Sequence, residues 1–155
     1  MAELLAVVRL RGSIKARKEV VDTLRMMGLT RVNHCVLLSK GASEEGMLRK
    51  VKDMVTWGEV NKEVLVSLLR KRGRLKGDLP LTEERVRERG FSSLEELAEA
   101  LLEGRVRMKD LPDLKKVFRL HPPRGGYRAT KKPVGQGGDL GYRGEGINEL
   151  LLRMI

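Results

Sequence analysis

Residues 4–60 predict an α/β sandwich, a small sheet with helices packed on one face. Three observations carry this. Short valine-rich apolar runs alternate with longer segments whose apolar residues recur at helical spacing. Glycines and polar capping residues separate the two kinds of segment. Their order is strand, helix, strand, helix, strand, an alternation that buries helices against a sheet.

Leu4–Leu10 reads as a buried strand closed by the turn-prone Arg11-Gly12-Ser13. From Lys15 to Met27, the residues Val20, Val21, Leu24 and Met27 share one helical face, and Gly28 stops the helix. Asn33–Leu38 is a second buried strand, ended by Lys40-Gly41. Ser43 caps a helix carrying Met47, Leu48, Val51, Met54 and Val55, and Thr56–Val60 forms a third strand. The first strand–helix–strand connection is expected to be a right-handed crossover that sets its two strands parallel. That arrangement leaves the other face of the sheet open for a partner or for the rest of the chain.

Beyond residue 60 the pattern turns helical. Asn61 opens a helix with Val64, Leu65, Leu68 and Leu69 on one side, ending in Arg70-Lys71-Arg72 where cations suit the negative dipole end. Leu79-Pro80 is expected to break the chain. Thr82 and Ser92-Ser93 start two further helices, the second with glutamates at capping-box spacing. Val117–Leu120 reads as another strand, and Ile147, Leu150, Leu151 and Met154 as an amphipathic helix that docks on the body.

Charge names the partner class. Of 155 residues, 32 are Lys or Arg and 21 Asp or Glu, a net +11 that favours a polyanion. The excess is uneven, since residues 79–104 carry three bases against seven acids and the flanking regions are basic. Arg9, Arg11, Lys15, Arg17 and Lys18 cluster at the first strand–helix junction, where helix N–H groups add donors for phosphate. Residues 119–143 hold six bases against Asp139 alone, with six glycines and three prolines. Such a stretch buries too little apolar surface to offset its backbone entropy, so a polyanion is expected to order it. Arg124, Arg128, Lys131, Lys132 and Arg143 would meet phosphate there. Tyr127 and Tyr142 are the tail's candidates for stacking on bases.

Other chemistry finds little support. Gly135-Gln136-Gly137 opens like a dinucleotide fingerprint, but Leu140 takes the last glycine position, and after Gly144-Glu145-Gly146 that position is Glu149. His34 and Cys35 are neighbours in a strand and point to opposite faces, which argues against a cooperating pair. Cys35 reads as buried, and His34 as a donor on the open sheet face. A lone cysteine excludes an intramolecular disulfide and fits a reducing cytosol. No ligand spacing supports a metal site, no carboxylate pair is placed for catalysis, and no run of eighteen apolar residues could span a membrane.

Several words in this sequence, in their order and spacing, match one family. They are Val8-Arg9-Leu10-Arg11-Gly12, Asp22-Thr23-Leu24, Arg31-Val32-Asn33-His34-Cys35, Gly46-Met47-Leu48-Arg49-Lys50-Val51 and Val55-Thr56-Trp57-Gly58-Glu59. In the tail they are Arg119-Leu120-His121-Pro122-Pro123-Arg124-Gly125-Gly126 and Glu145-Gly146-Ile147. The chain resembles large-subunit ribosomal protein thirty in its long archaeal form, related to eukaryotic large-subunit protein seven, over nearly its whole length. The resemblance implies a ferredoxin-like βαβαβ core with a helical and glycine-rich basic extension. It implies a structural constituent of the large ribosomal subunit, bound to ribosomal RNA near that subunit's small ribosomal RNA, with neighbouring ribosomal proteins within reach. Arg31, His34, Arg49, Lys50 and His121 join the candidate contacts on these words. Members often carry arginine before the Gly-Met word; here Glu45 stands there, which weakens the transfer of an RNA contact to position 45.

The expected organisation is a core over 1–60, a helical extension over 61–118, an RNA-threading loop over 119–146 and a docking helix over 147–155. The expected protein is cytoplasmic, with no enzymatic activity, cofactor, metal, membrane or small-molecule substrate. A ribosome-biogenesis or RNA-processing factor of the same fold is the alternative.

Overall fold

The computed structural model describes residues 4–14 and 16–155. Strand β1 (Leu4–Arg9) is buried at every position, as its unbroken apolar run requires of a strand covered on both faces. Helix α1 (Lys18–Met27) ends at Gly28, whose φ of 87° lets its N–H turn back onto the Arg25 and Leu24 carbonyls. Strand β2 (His34–Ser39), helix α2 (Ala42–Val51) and strand β3 (Val55–Glu59) complete the first half. Asn33, read from sequence as strand, instead takes φ 67°, a left-handed conformation that asparagine tolerates better than most residues.

Helix α3 (Lys62–Arg72) starts where Asn61 Oδ1 accepts the Val64 N–H at 2.9 Å. Strands β4 (Arg74–Leu75) and β5 (Leu79–Pro80) then form a short hairpin. The expected break at Leu79-Pro80 is thus the return strand of a hairpin, an edge position where the missing proline N–H costs no ladder bond. Helices α4 (Glu83–Glu88) and α5 (Leu94–Glu103) are capped by Thr82 and Ser93. Strand β6 (Val117–Arg119), strand β7 (Gly141–Tyr142) and helix α6 (Gly146–Met154) finish the chain.

The main sheet has the order β6-β2-β1-β3-β7. Central β1 runs antiparallel to both β2 and β3. The expected parallel pairing of the first two strands is therefore corrected. Its cause lies at the end of α1: the Leu29 carbonyl accepts from Arg9 Nη1 at 2.9 Å, and the Asn33 N–H donates to the Arg9 carbonyl at 2.8 Å. The chain re-enters the sheet at the end where β1 left it, so β2 must run back. The crossover is the second unit, β2–α2–β3, whose strands are parallel and split by β1.

Both faces are covered. Leu5, Val7, Val36 and Val55 pack with Leu24, Met27, Leu48 and Val51 under α1 and α2. Ala6, Val8, Cys35 and Phe118 pack with Leu65, Leu68, Leu69, Leu97, Leu101, Ile147, Leu150 and Leu151 under α3, α5 and α6. Each such leucine contributes about 2 kcal/mol when fully buried. The face expected to be open is occupied by the extension, the second of the two occupants the sequence allowed. The extension also supplies both outer strands, β6 antiparallel to β2 and β7 parallel to β3.

Candidate nucleic-acid interface

Two basic words far apart in sequence meet on one surface. The segment after β1 and the C-terminal end of α2 enclose a groove of about 450 Å³ lined by Arg11, Ile14, Ala16, Arg17, Val20, Lys50, Asp53 and Met54. Arg11 is pinned there by a 3.2 Å bond from Nη1 to the Asp53 carbonyl. Arg17 and Lys18 are exposed at the start of α1, where no side chain caps the helix and cations oppose the positive dipole end. Glu19 in the same turn offsets that conflict only in part. Lys15 lies outside the described residues.

Arg9 departs from expectation. It is 4% exposed, and its guanidinium donates to the Arg11 and Leu29 carbonyls and to Ser13 Oγ at 2.8–3.0 Å. Burial lowers its pKa. Its role is to tie the end of β1 to the end of α1, which leaves no free face for phosphate.

At the start of β2, His34 is half-buried rather than displayed on an open face, and its Nδ1 is buried without a partner. Burial lowers the imidazole pKa, and the nearby charges of Arg31, Arg119 and Arg9 lower it further. Arg31 is exposed beside it. Arg119 is paired with Asp78, which also meets Arg74 and Lys115.

The 119–143 segment has more internal structure than its composition predicts. Asp139 and Leu140 are 2% and 4% exposed. Ala129 and Asp139 exchange two bonds, the Ala129 N–H to Oδ2 at 2.8 Å and the Asp139 N–H to the Ala129 carbonyl at 3.0 Å. Arg143 is a staple and not a phosphate hand: it pairs with Asp139 and donates through Nε to Thr56 Oγ1 at 2.8 Å. Tyr127 is likewise engaged, its hydroxyl donating to Asn33 Oδ1 at 2.6 Å and its ring packed against the core. Burial raises its pKa, helped by the Asp139 charge. A ring so held is not available for stacking. His121 sets its Nε2 3.1 Å from the Ile155 carbonyl, and Arg124 donates to the Leu152 carbonyl at 3.3 Å, so both seal the end of α6.

What remains outward is a second basic surface of Arg128, Lys131 and Lys132, all exposed. With Arg17, Lys18, Arg31, Arg49 and Lys50, these side chains make no hydrogen bond or ion pair among the described residues. Tyr142 is 54% exposed. Among the described residues no group of three or more His, Cys, Asp or Glu could hold a metal ion, and no helix is long and apolar enough to cross a membrane.

Comparison with known proteins gives this surface its context. The family model described as ribosomal protein L30p/L7e matches residues 5–55. Curated relatives match almost end to end. The large ribosomal subunit protein uL30 of Methanococcus maripaludis is 51% identical over 152 residues, 97% of this chain and 98% of the relative. That of Thermofilum pendens is 50% identical over 154 residues, 98% of this chain and 99% of the relative. The chain belongs to the uL30 family. The uL30 family is one of structural, non-enzymatic ribosomal proteins, and its fold agrees with the mixed α/β architecture seen here. The uL30 protein of Methanocorpusculum labreanum is 49% identical over 150 residues, 96% of this chain and 98% of the relative.

Sequence reasoning underrated one residue of this surface. Asn33 shapes the turn into β2 and holds Tyr127, and the sign was its type: an asparagine between two apolar segments is a common left-handed turn former.

Proposed function

We propose that this uL30-family chain is a structural constituent of the large ribosomal subunit that grips folded ribosomal RNA with two basic surfaces. The first is the groove of Arg11, Arg17 and Lys50, with Lys18 and Arg49 beside it. The second is the loop surface of Arg128, Lys131 and Lys132. Affinity would come from phosphate neutralisation with counterion release, and selectivity from RNA shape. The observation that carries the reading is the groove, where cations from the β1–α1 junction and the end of α2 converge though about forty residues part them in sequence.

The 119–143 segment is held at its base by Asp139, Arg143 and Tyr127, so binding would need to order only the outward cations. Its placement near the small ribosomal RNA of the subunit rests on the family resemblance. The relatives' names place those proteins in the large subunit.

The test is binding to large-subunit RNA across a salt series. Arg17→Ala with Lys50→Ala should lower the slope of log affinity against log salt by about 1.5 while leaving the fold intact, at roughly 0.7–0.9 per phosphate lost. An unchanged slope would remove the groove from the interface.

A further inference from the structure

The sheet face covered by α1 and α2 extends onto β3 and β7. There Trp57 of β3 and Tyr142 of β7 stand side by side in register, their ring centroids 6.4 Å apart and tilted by 48°. With Leu5, Lys40, Glu45, Leu48 and Arg49 they line a recess of about 340 Å³, in the size range of small-ligand sites. None of these residues except Arg49 belongs to the two surfaces above.

The chemistry of the recess is divided. Two aromatic rings and two leucines give it an apolar wall, and Arg49 is an exposed cation at its rim. Glu59 is already engaged: the Tyr142 hydroxyl lies 2.7 Å from both its oxygens and donates its one hydrogen to the carboxylate, and Lys40 Nζ lies 3.4 Å away. These bonds hold the tyrosine in place, and the residue remains 54% exposed. Glu45 is exposed on the same rim. A carboxylate there repels phosphate and accepts N–H donors, so it favours a group that presents donors over a phosphate. An aromatic wall, a donor-seeking carboxylate and a nearby cation together describe a nucleobase with its own phosphate, and not a bare backbone.

We propose that this recess takes one unpaired nucleobase of the bound RNA, stacked against Tyr142 and Trp57, with its N–H edge toward Glu45 and its phosphate toward Arg49. The proposal rests on the RNA-binding reading and deepens it. Bases bearing amino or imino donors on that edge would be preferred, guanine above the others, because it offers two adjacent donors to one carboxylate.

Trp57 is the chain's one tryptophan, so its fluorescence reports the recess alone. Short single-stranded homopolymeric RNAs should quench it saturably at low salt. Tyr142→Ala should weaken the quenching roughly tenfold or more, the size expected for loss of one stacking partner. Tyr142→Phe keeps the ring and should retain it, and Glu45→Ala should reduce the preference for guanine-rich RNA. RNA bound in a mobility-shift assay with unchanged Trp57 emission would overturn the recess and leave the two basic surfaces standing. Quenching indifferent to Tyr142→Ala would overturn it as well. Absence of RNA binding in both assays would overturn the recess together with the RNA-binding reading.

Discussion

Arg143 and Asp139 form a buried ion pair, Nη2 to Oδ1 at 3.2 Å, with side chains only 12% and 3% exposed. Around it the loop closes on the sheet. Arg143 reaches Thr56 of β3, the Thr56 hydroxyl donates to the Gly141 carbonyl at 2.8 Å, and Asp139 holds the Ala129 N–H. A segment poor in apolar residues is thereby fastened by polar bonds as well as by Leu140 and Tyr127 packing on the core.

Removing one partner should cost far more than an exposed pair would. Asp139→Ala leaves the Arg143 charge and the Ala129 N–H uncompensated, and should destabilise the protein by about 3 kcal/mol. Urea unfolding measures this. A loss under 1 kcal/mol would show that the pair is effectively solvated.

Gly58 tests how α6 is seated. A Cβ at this position would lie 1.9 Å from the Gly144 carbonyl oxygen and 3.1 Å from Ile147 Cβ. Backbone cannot yield as a flexible side chain does, so Gly58→Ala should cost about 3 kcal/mol and loosen α6. Hydrogen exchange of the Leu150 and Leu151 amides would follow the loosening.

The loop cations should behave differently. Arg128, Lys131 and Lys132 are exposed, so replacing all three by alanine should change unfolding free energy by less than about 0.5 kcal/mol. The salt dependence of RNA binding should still fall by about 2 in slope. A full slope in this variant would show that the loop does not meet phosphate.

His34 gives the protein a pH dependence. Its folded-state pKa lies below the ordinary 6.5, through burial and the Arg31, Arg119 and Arg9 charges. The unfolded chain therefore takes up the proton first as pH falls. The stability that His34 contributes is present above pH 6.5 and is lost as pH drops toward and through the lowered folded value. His34→Gln should flatten this part of the stability–pH curve below pH 6.5. Parallel curves for the two proteins would show that His34 titrates normally.

Cys35 should be inert in the native state. Burial pushes its thiol up to about 12, against a small opposing effect of a backbone hydrogen bond with Val7. At neutral pH almost no thiolate exists, so labelling by a thiol reagent should occur only at the rate of unfolding. Faster labelling would reveal local opening of β2.

Local patterns were legible where one residue's chemistry decides them. Gly28, Asn61, Thr82 and Ser93 mark helix ends in the sequence and occupy them in the structure. Strand pairing was not legible, because the valine-rich runs fit either direction and only the meeting of Arg9 with Leu29 turns β2 back. The candidate site divides in the same way. Arg17, Lys18, Arg128, Lys131 and Lys132 lie exposed as their composition predicts. Arg9 and Arg143 have the same charge and are consumed within the fold, as is the Tyr127 ring.

By itself the sequence determined the excess of positive charge, the alternation of strands and helices, and the presence of a basic glycine-rich loop, since these follow from residue type and spacing. The tertiary structure decided which cations face outward and which are spent on carbonyls and on Asp139. A guanidinium is equally suited to phosphate and to a buried carbonyl, so only the geometry around it determines which of the two it meets.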